Sequence, residues 1–395
     1  MRRWLLPEYI EDILPAEALR IEALRRRILD LFRVHGYELV MPPLLEYLES
    51  LLTGTGHDLD LKTFKLVDQL SGRLLGVRAD ITPQVSRIDA HLLNRAGIAR
   101  LCYAGSVLHA LPSGMMRTRE PLQIGAELYG HASVESDVEI QALMVSALRA
   151  AGVGELRVDL GHVAVFRGLM RRFAVAPELE SELFQVLQIK DIPGLRELTA
   201  GLDAQLSGAL LLLPQLYGGA AVLGEARRRL PALPEIATAI DQLETIAGAL
   251  ASVGQDVHCF DLAELRGYRY HSGVVFAAYS QVRPTAIAQG GRYDEVGKAF
   301  GRSRAATGFT MDLRELAALG TGVSAAQAIL APYRPDDVGL RAKIEALRTG
   351  GEVVIVDLPG HERTRGELGC DRQLAQDAGA WVVVPAADQP HRPRD

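Results

Sequence analysis

Segments with the pattern of β-strands lie on both sides of a long stretch whose pattern is almost wholly helical. Residues 168–250 carry periodic leucines that are broken near Pro193, Pro214 and Pro231–Pro234, which predicts a succession of helices. The strand candidates before and after this stretch are Leu74–Val77, Leu101–Ala104, Gly125–Tyr129, Leu156–Leu160, Val257–Leu262, Tyr270–Tyr279 and Thr285–Gln289. Strands clustered around a helical insertion indicate an α+β fold, with a largely antiparallel sheet flanked by helices.

The segments next to these strands are patterned as well. Apolar residues from Pro15 to His35 recur at helical spacing, and Gly36 ends this predicted helix. Tyr37–Met41 predicts a strand, Ser136–Ala151 a further helix, and Gly308–Leu319 a strand that runs into a helix. Together these segments extend the first domain over residues 1–320, with its helical insertion at about 168–250.

The remaining residues, 321–395, alternate between the two kinds of element. The predicted order is a strand, a helix, a strand, a helix and a strand, at Ala328–Ala331, Asp337–Thr349, Val353–Asp357, Asp371–Ala378 and Trp381–Pro385, followed by a polar tail. This alternation predicts a small, separate α/β unit at the carboxyl end.

The composition fits a globular protein with a sizeable core, since 48% of the 395 residues are hydrophobic and 23% are charged. A net charge of −6 argues against broad nucleic-acid binding, which needs a basic surface. Pro7 and nearby acids interrupt any apolar run at the amino terminus, which does not resemble a signal peptide. The apolar stretch Leu210–Val222 is shorter than the roughly 20 residues that span a bilayer. We therefore expect a cytoplasmic protein.

The sequence predicts no metal site, no cofactor and no disulfide framework. Cys102, Cys259 and Cys370 are far apart and contain no CxxC pair, and the ten histidines form no HExxH motif. Gly291–Lys298 resembles a phosphate-binding loop, but its spacing is one residue too long and Ala299 stands where a hydroxyl is needed.

The glycines around Gly54 and Gly56 lack the third glycine of a dinucleotide-binding motif.

Five other segments carry polar groups that structure alone does not require; these are Arg78–Gln84, Gln123–Gly130, Arg266–His271, Gly290–Asp294 and Gly308–Leu313. Gln123 and Glu127 lie four residues apart, so a strand would place both on one face of the sheet. Taken alone, the segment Gln123–Gly130 leaves open whether Glu127 faces water or a binding site.

The five segments together offer the groups that a small zwitterion requires. A carboxylate needs an arginine, an ammonium group needs a carboxylate with hydroxyl or amide acceptors, and an imidazole needs an acid at one ring nitrogen. Arg266–His271, which we expect to open a long strand, supplies an arginine and aromatic rings. These groups would converge if all five segments belong to one sheet.

The order and spacing of these segments resemble those of histidyl-tRNA synthetase, a class II aminoacyl-tRNA synthetase, over roughly residues 5–320. Arg100–Gly130 is similar to that family's motif 2 region, Arg266–Tyr270 and Ala288–Asp294 to its two histidine signatures, and Gly308–Met311 to the start of motif 3. The resemblance implies a class II synthetase-like fold and dimerisation through Tyr37–Tyr47.

The resemblance also implies an amino-acid pocket that is largely intact. Its expected histidine-binding residues are Asp80, Thr82, Gln123, Glu127, Arg266, Tyr270 and Tyr293. By the same resemblance the ATP site is degenerate, because His109 stands in place of one arginine, Leu111 in place of a glutamate and Glu315 in place of the second arginine. Losing each arginine would slow adenylate formation by about 10²–10³-fold or more. We therefore expect no catalysis by this chain.

The carboxyl end does not fit a synthetase either. Residues 321–395 are fewer than that family's anticodon-binding domain and carry nine Lys/Arg against eleven Asp/Glu. The combination resembles a paralogous family, the regulatory subunits of heteromeric ATP phosphoribosyltransferase. That resemblance implies the short catalytic subunit as partner and histidine as feedback effector. An active histidyl-tRNA synthetase and a tRNA-binding paralogue are the alternatives.

Overall fold

A computed structural model describes residues 5–53, 57–112, 117–268, 270–320 and 328–386. Gly54, Gly56, Arg269 and the polar tail from residue 387 lie outside the described residues. The chain divides into two compact units, Met1–Thr321 and Gly322–Asp395. In the described part of the chain, no helix is both long and apolar enough to cross a membrane.

The first unit holds most of the helices. They are α1 (Pro15–Val34), α2 (Leu48–Leu51), α3 (His57–Lys62), α4 (Thr82–Arg87), α5 (Val134–Ala150), α6 (Val163–Arg172), α7 (Pro177–Gln188), α8 (Ile192–Thr199), α9 (Ala204–Leu212), α10 (Ala221–Arg229), α11 (Pro234–Ser252) and α12 (Leu313–Leu319), and the second unit adds α13 (Val338–Thr349). Short 3₁₀ or π turns lie at Ile88–Leu93, Leu213–Gln215, Val296–Phe300 and Glu362–Leu368.

The strands of the first unit are β1 (Glu38–Leu39), β2 (Leu45–Tyr47), β3 (Phe64–Val67), β4 (Leu74–Val77), β5 (Ala99–Ser106), β6 (Leu122–Tyr129), β7 (Leu156–His162), β8 (Tyr217–Gly218), β9 (Val257–Asp261), β10 (Val274–Ser280), β11 (Arg283–Arg292) and β12 (Ala306–Asp312). Those of the second unit are β13 (Ala328–Pro332), β14 (Val353–Asp357), β15 (Cys370–Asp377) and β16 (Ala380–Pro385).

A nine-stranded sheet forms the centre of the first unit, in the order β1-β5-β6-β12-β11-β10-β7-β9-β8. Every pairing from β5 to β7 is antiparallel, whereas β1 and β9 add in parallel at the two sides. Helices α1 and α5 pack their apolar sides into the core with this sheet, through residues such as Ile28, Phe32 and Met144. The predicted α+β class and the sheet flanked by helices are confirmed.

The predicted helical insertion is present as α6 to α11, interrupted by the two-residue strand β8. Breaks between helices occur near Pro193 and Pro231–Pro234 as predicted, and Pro193 and Pro234 occupy the first turns of α8 and α11, where the missing N–H is not needed. Leucines such as Leu183, Leu210 and Leu243 are fully buried and join the main core. The helices therefore pack as part of the first unit.

Two predicted elements are wrong. The segment Arg266–His271 does not open a long strand, because Gly267 adopts a φ of +64° and the chain turns there, so β10 begins only at Val274. Asp371–Ala378 is not a helix, because Cys370–Asp377 is a strand that pairs with β13 and β16. Ala378 and Gly379 both have positive φ, as a two-residue hairpin turn requires. Pairing on both edges outweighed the helical propensity of this segment.

Candidate active-site-like cavity

A cavity of about 280 Å³ lies on one face of the central sheet. Four residues of one register row line it, namely Glu127, Gly308, Gly291 and Val275, and the row continues to Gly161 on β7, so that it crosses five strands. Residues of one row point to the same face, so the three glycines leave that face open where larger side chains would fill it. A Cβ atom on Gly308 would lie 1.5 Å from Glu127 Oε2, so glycine is required there.

Glu127 lines the cavity and is only 1% exposed. Its Oε1 accepts hydrogen bonds from Thr82 Oγ1 and Tyr103 OH, each at 3.1 Å, and its Oε2 accepts one from Tyr293 OH. The question that the sequence left open is answered, because Glu127 faces this site and not water. Burial, with the charge of Asp80 nearby, raises the pKa of Glu127 to about 8, although these hydrogen bonds oppose the rise.

A second acid, Asp80, is fixed at the cavity wall by its neighbours. Gln123 Nε2 donates to Asp80 Oδ1 at 2.8 Å, and the Thr82 backbone N–H donates to the same oxygen at 3.0 Å. The Gln123 side-chain oxygen in turn accepts from the Ile81 backbone N–H at 2.9 Å. Gln123 therefore does not line the cavity itself, but it orients the carboxylate that does.

An aromatic wall closes one side of the cavity. Tyr270 and Tyr293 stack with ring centroids 5.0 Å apart, and Tyr129 meets Tyr293 edge-on. Burial raises the pKa of the Tyr270 and Tyr293 hydroxyls well above the usual value, so both stay protonated and can donate. The Tyr270 hydroxyl is buried and has no hydrogen-bond partner among the residues that the structure describes.

Among the described residues that line the cavity, the arginine is Arg266, which follows β9. Its side chain is 45% exposed, and its Nη2 lies 3.3 Å from Glu264 Oε2. The turn at Gly267 brings Arg266 and Tyr270 to the same cavity, although neither lies in a strand. Six of the seven predicted histidine-binding residues thus line one cavity, and the seventh, Gln123, supports it.

The three positions of the expected degenerate ATP site lie in a different environment. His109 Nε2 is 3.0 Å from the Ala79 carbonyl oxygen, and burial lowers the pKa of its imidazole. Glu315 forms an ion pair with Arg117 at 3.3 Å, and Leu111 is 59% exposed. The neighbouring Arg314 is buried and donates to Glu11 at 2.7 Å, so its guanidinium is already paired.

Sequence reasoning missed several residues that shape the cavity. Tyr103 pairs in register with Gly125, and a Cβ on that glycine would lie 2.4 Å from the Tyr103 hydroxyl. The alternation of β5 gave a signal, since Tyr103 shares a face with Leu101, the register partner of Glu127. Thr310 and His271 also line the cavity, and burial lowers the pKa of His271 to about 4, so that it is neutral.

Comparison with known proteins agrees with this fold. A sequence profile of histidyl-tRNA synthetases matches residues 9–316, and a profile of the ATP phosphoribosyltransferase subunit HisZ C-terminal domain matches residues 326–384. A histidyl-tRNA synthetase from Nostoc sp. PCC 7120 superposes with a TM-score of 0.77 over 98% of this chain and 97% of that one; at 17% identity this likeness concerns the fold alone. The first unit is thus a class II domain of the histidyl-tRNA synthetase type.

Closer relatives narrow the assignment. The ATP phosphoribosyltransferase regulatory subunits of Nitrosospira multiformis and Ralstonia nicotianae are 61% and 60% identical to this chain. Each alignment covers 98% of this chain and 99% of the relative. A Bacillus halodurans structure described as an ATP phosphoribosyltransferase regulatory subunit/histidyl-tRNA synthetase has a TM-score of 0.82 and 29% identity, covering 93% of this chain and 96% of that one. The chain belongs to the family of ATP phosphoribosyltransferase regulatory subunits.

Proposed function

We propose that this chain is a non-catalytic regulatory subunit that binds the short catalytic subunit of ATP phosphoribosyltransferase, the enzyme of the first step of histidine biosynthesis, and that it imposes feedback inhibition by histidine from the cavity described above. Family membership supports the regulatory role. The single observation that supports histidine as the effector is one cavity lined by Glu127, Asp80 and Arg266.

Each end of a histidine molecule has a matching group in this cavity. Glu127 would accept from an imidazole N–H, Asp80 with Thr82 would hold the α-ammonium group, and Arg266 would bind the α-carboxylate. Tyr270 would donate its unpartnered hydroxyl to the ligand, because a buried polar group without a partner costs about 1–3 kcal/mol. Feedback inhibition requires that histidine binding is coupled to the activity of the complex. This coupling is reciprocal, since histidine must favour the less active complex by as much as that complex favours histidine.

The decisive experiment measures phosphoribosyl transfer by the short catalytic subunit of the same organism, with and without this chain, while histidine is titrated. We expect activity to appear or rise with this chain and then to fall as histidine accumulates. A catalytic subunit whose rate and histidine response are both unchanged by this chain would contradict the proposal.

We also propose that the chain does not form histidyl adenylate. The positions at which the resemblance expects ATP-binding arginines hold His109 and Glu315, and an acid there would repel triphosphate. Histidine-dependent exchange of pyrophosphate into ATP should be absent even at high protein concentration. Measurable exchange would favour an active synthetase, and retention on tRNA at physiological salt, without an effect on phosphoribosyl transfer, would favour a tRNA-binding paralogue.

Self-association in the cytoplasm completes the proposal. Apolar side chains of the segment Tyr37–Tyr47 are exposed in the single chain, among them Leu39 at 49%, Met41 at 78% and Leu45 at 43%. Such a concentration of exposed apolar surface is typical of an interface. We propose that this segment pairs two copies within a hetero-oligomer, which sedimentation of the isolated chain would test.

A further inference from the structure

The loop that carries Arg266 and Tyr270 is fastened to helices of the insertion. Arg167 on α6 donates from Nη2 to two carbonyl oxygens of this loop, that of Tyr268 at 3.0 Å and that of His271 at 2.9 Å. The Tyr268 hydroxyl donates to Glu180 Oε1 on α7 at 2.6 Å. Hydrogen bonds that involve a charged group are roughly twice as strong as neutral ones, so these contacts form a firm attachment.

Ring packing reinforces the same attachment. Tyr268 is 6% exposed and stacks on Phe184 of α7, with centroids 5.4 Å apart and an interplanar angle of 26°. Its ring also meets Phe166 of α6 edge-on at 5.2 Å, and the Arg167 guanidinium lies 5.1 Å from the ring centroid. Tyr268 packs against α6 and α7 and does not line the cavity, whereas Gly267 and Tyr270 of the same loop do.

The hydrogen bonds within the loop itself are short-range. The backbone N–H groups of Tyr270 and His271 donate to the Gly267 carbonyl at 2.7 and 2.8 Å, and His271 Nδ1 lies 3.1 Å from the Arg266 carbonyl. These contacts shape the turn, and the Ser272 backbone N–H at its end donates to the Arg292 carbonyl oxygen of β11 at 2.7 Å. Attachment to α6 and α7 adds to this link and helps to decide the position of the Arg266 guanidinium.

We propose that Arg167, Tyr268 and Glu180 are positioning residues that hold Arg266 in place for the ligand carboxylate, so that the insertion helices set part of the histidine affinity. This inference rests on the proposed function, in that the cavity binds histidine. Glu127 and Asp80 belong to other elements and do not contact these three side chains in any hydrogen bond that the described residues form. Recognition of the imidazole and of the ammonium group is therefore less dependent on the attachment than recognition of the carboxylate, although Tyr270 of the same loop stacks on Tyr293, which donates to Glu127.

A pair of ligands separates this role from a general structural one. Histidinol carries the imidazole and the amino group of histidine, but an alcohol replaces the carboxylate. Calorimetric titration of the full chain should show histidine affinity about 3–10-fold weaker in Tyr268→Phe, which loses only the hydroxyl, and about 10–50-fold weaker in Arg167→Met. Histidinol affinity should weaken clearly less than histidine affinity in both variants, because histidinol lacks the carboxylate that Arg266 would bind.

Variants on α7 supply one control and two further tests. Glu178→Gln removes an exposed carboxylate from the same helix and should leave both affinities unchanged. Glu180→Ala should reproduce Tyr268→Phe, whereas Glu180→Gln keeps an acceptor for the hydroxyl and should restore most of the affinity. Amide exchange over the stretch 266–273 should be faster in Arg167→Met and unchanged in Glu178→Gln.

The outcomes distinguish this inference from the proposed function. Binding of histidine by the unmodified chain, with equal affinity in Tyr268→Phe and Arg167→Met, would overturn the positioning role and leave the effector assignment standing. Equal weakening of histidine and histidinol would also overturn it, because the helices would then act on the whole cavity. An unmodified chain that binds neither ligand would refute the effector assignment and the positioning role together.

Discussion

At the scale of single residues, Glu127 and Arg266 would bind the two ends of the proposed ligand, its imidazole and its carboxylate. Glu127→Ala or Arg266→Ala should abolish feedback by histidine and leave assembly with the catalytic subunit intact, because both side chains face the cavity. The expected loss of histidine affinity is on the order of 2–4 kcal/mol each, since truncation leaves a ligand group unpaired. Calorimetry that finds unchanged affinity in both variants would show that the effector binds elsewhere.

The buried acid also predicts a pH-dependent stability. The pKa of Glu127 rises from 4.5 to about 8 on folding, so between these values the folded chain keeps a proton that the unfolded chain releases. The free energy of unfolding contributed by this group therefore falls as the pH rises across that window. Glu127→Gln is neutral at every pH, and its stability advantage over the unmodified chain should grow by on the order of 3 kcal/mol from about pH 5 to about pH 8.

Urea unfolding of the two proteins at both pH values would measure this difference. A constant difference between them would mean that Glu127 is ionised in the folded chain throughout this pH range.

Gln123 shows what the sequence could and could not predict for a single residue. The sequence indicated that Gln123 and Glu127 share one face of a strand, whereas the contact of Gln123 with Asp80 depends on where α4 begins.

At the scale of elements, a buried ion pair joins α5 to β11. Arg292 donates to Asp137 Oδ2 at 3.0 Å from Nε and 2.8 Å from Nη2, and both side chains are at most 7% exposed. Asp137→Ala should lower the free energy of unfolding by about 3–5 kcal/mol, because the guanidinium would stay buried without its main partner. Asp30→Ala, which breaks a pair whose partners are both 71% exposed, should cost less than about 0.5 kcal/mol in the same urea titration.

The elements also show why some sequence predictions succeeded. Leu74–Val77 was predicted with its observed bounds, and α1 and α5 within two residues, because apolar residues mark each segment and turn residues or glycines bound them. The strand at Cys370–Asp377 was predicted as a helix, because its Arg, Gln, Leu and Ala residues favour helix and its pairing partners lie elsewhere in the chain.

At the scale of the whole molecule, the cavity is confined to the first compact unit. Every residue that lines it lies between Asp80 and Thr310, and this unit ends at Thr321. A chain shortened after Thr321 should therefore bind histidine with an affinity within about twofold of the full chain. Calorimetry of the shortened chain, with circular dichroism as the check on folding, would measure this; a large loss would mean that residues 322–395 support the cavity.

The sequence by itself determined the polar groups available for the site, the fold class and the two-unit organisation that its patterns predicted, because periodicity and residue chemistry are local properties. Only the tertiary structure decided how these groups meet. The register that aligns Glu127 with Gly308 and Gly291 fixes an open face on the sheet, and strand register is set by packing across the whole sheet. The turn at Gly267, held by contacts from α6 and α7, brings Arg266 to that face, and those contacts join residues about 100 positions apart.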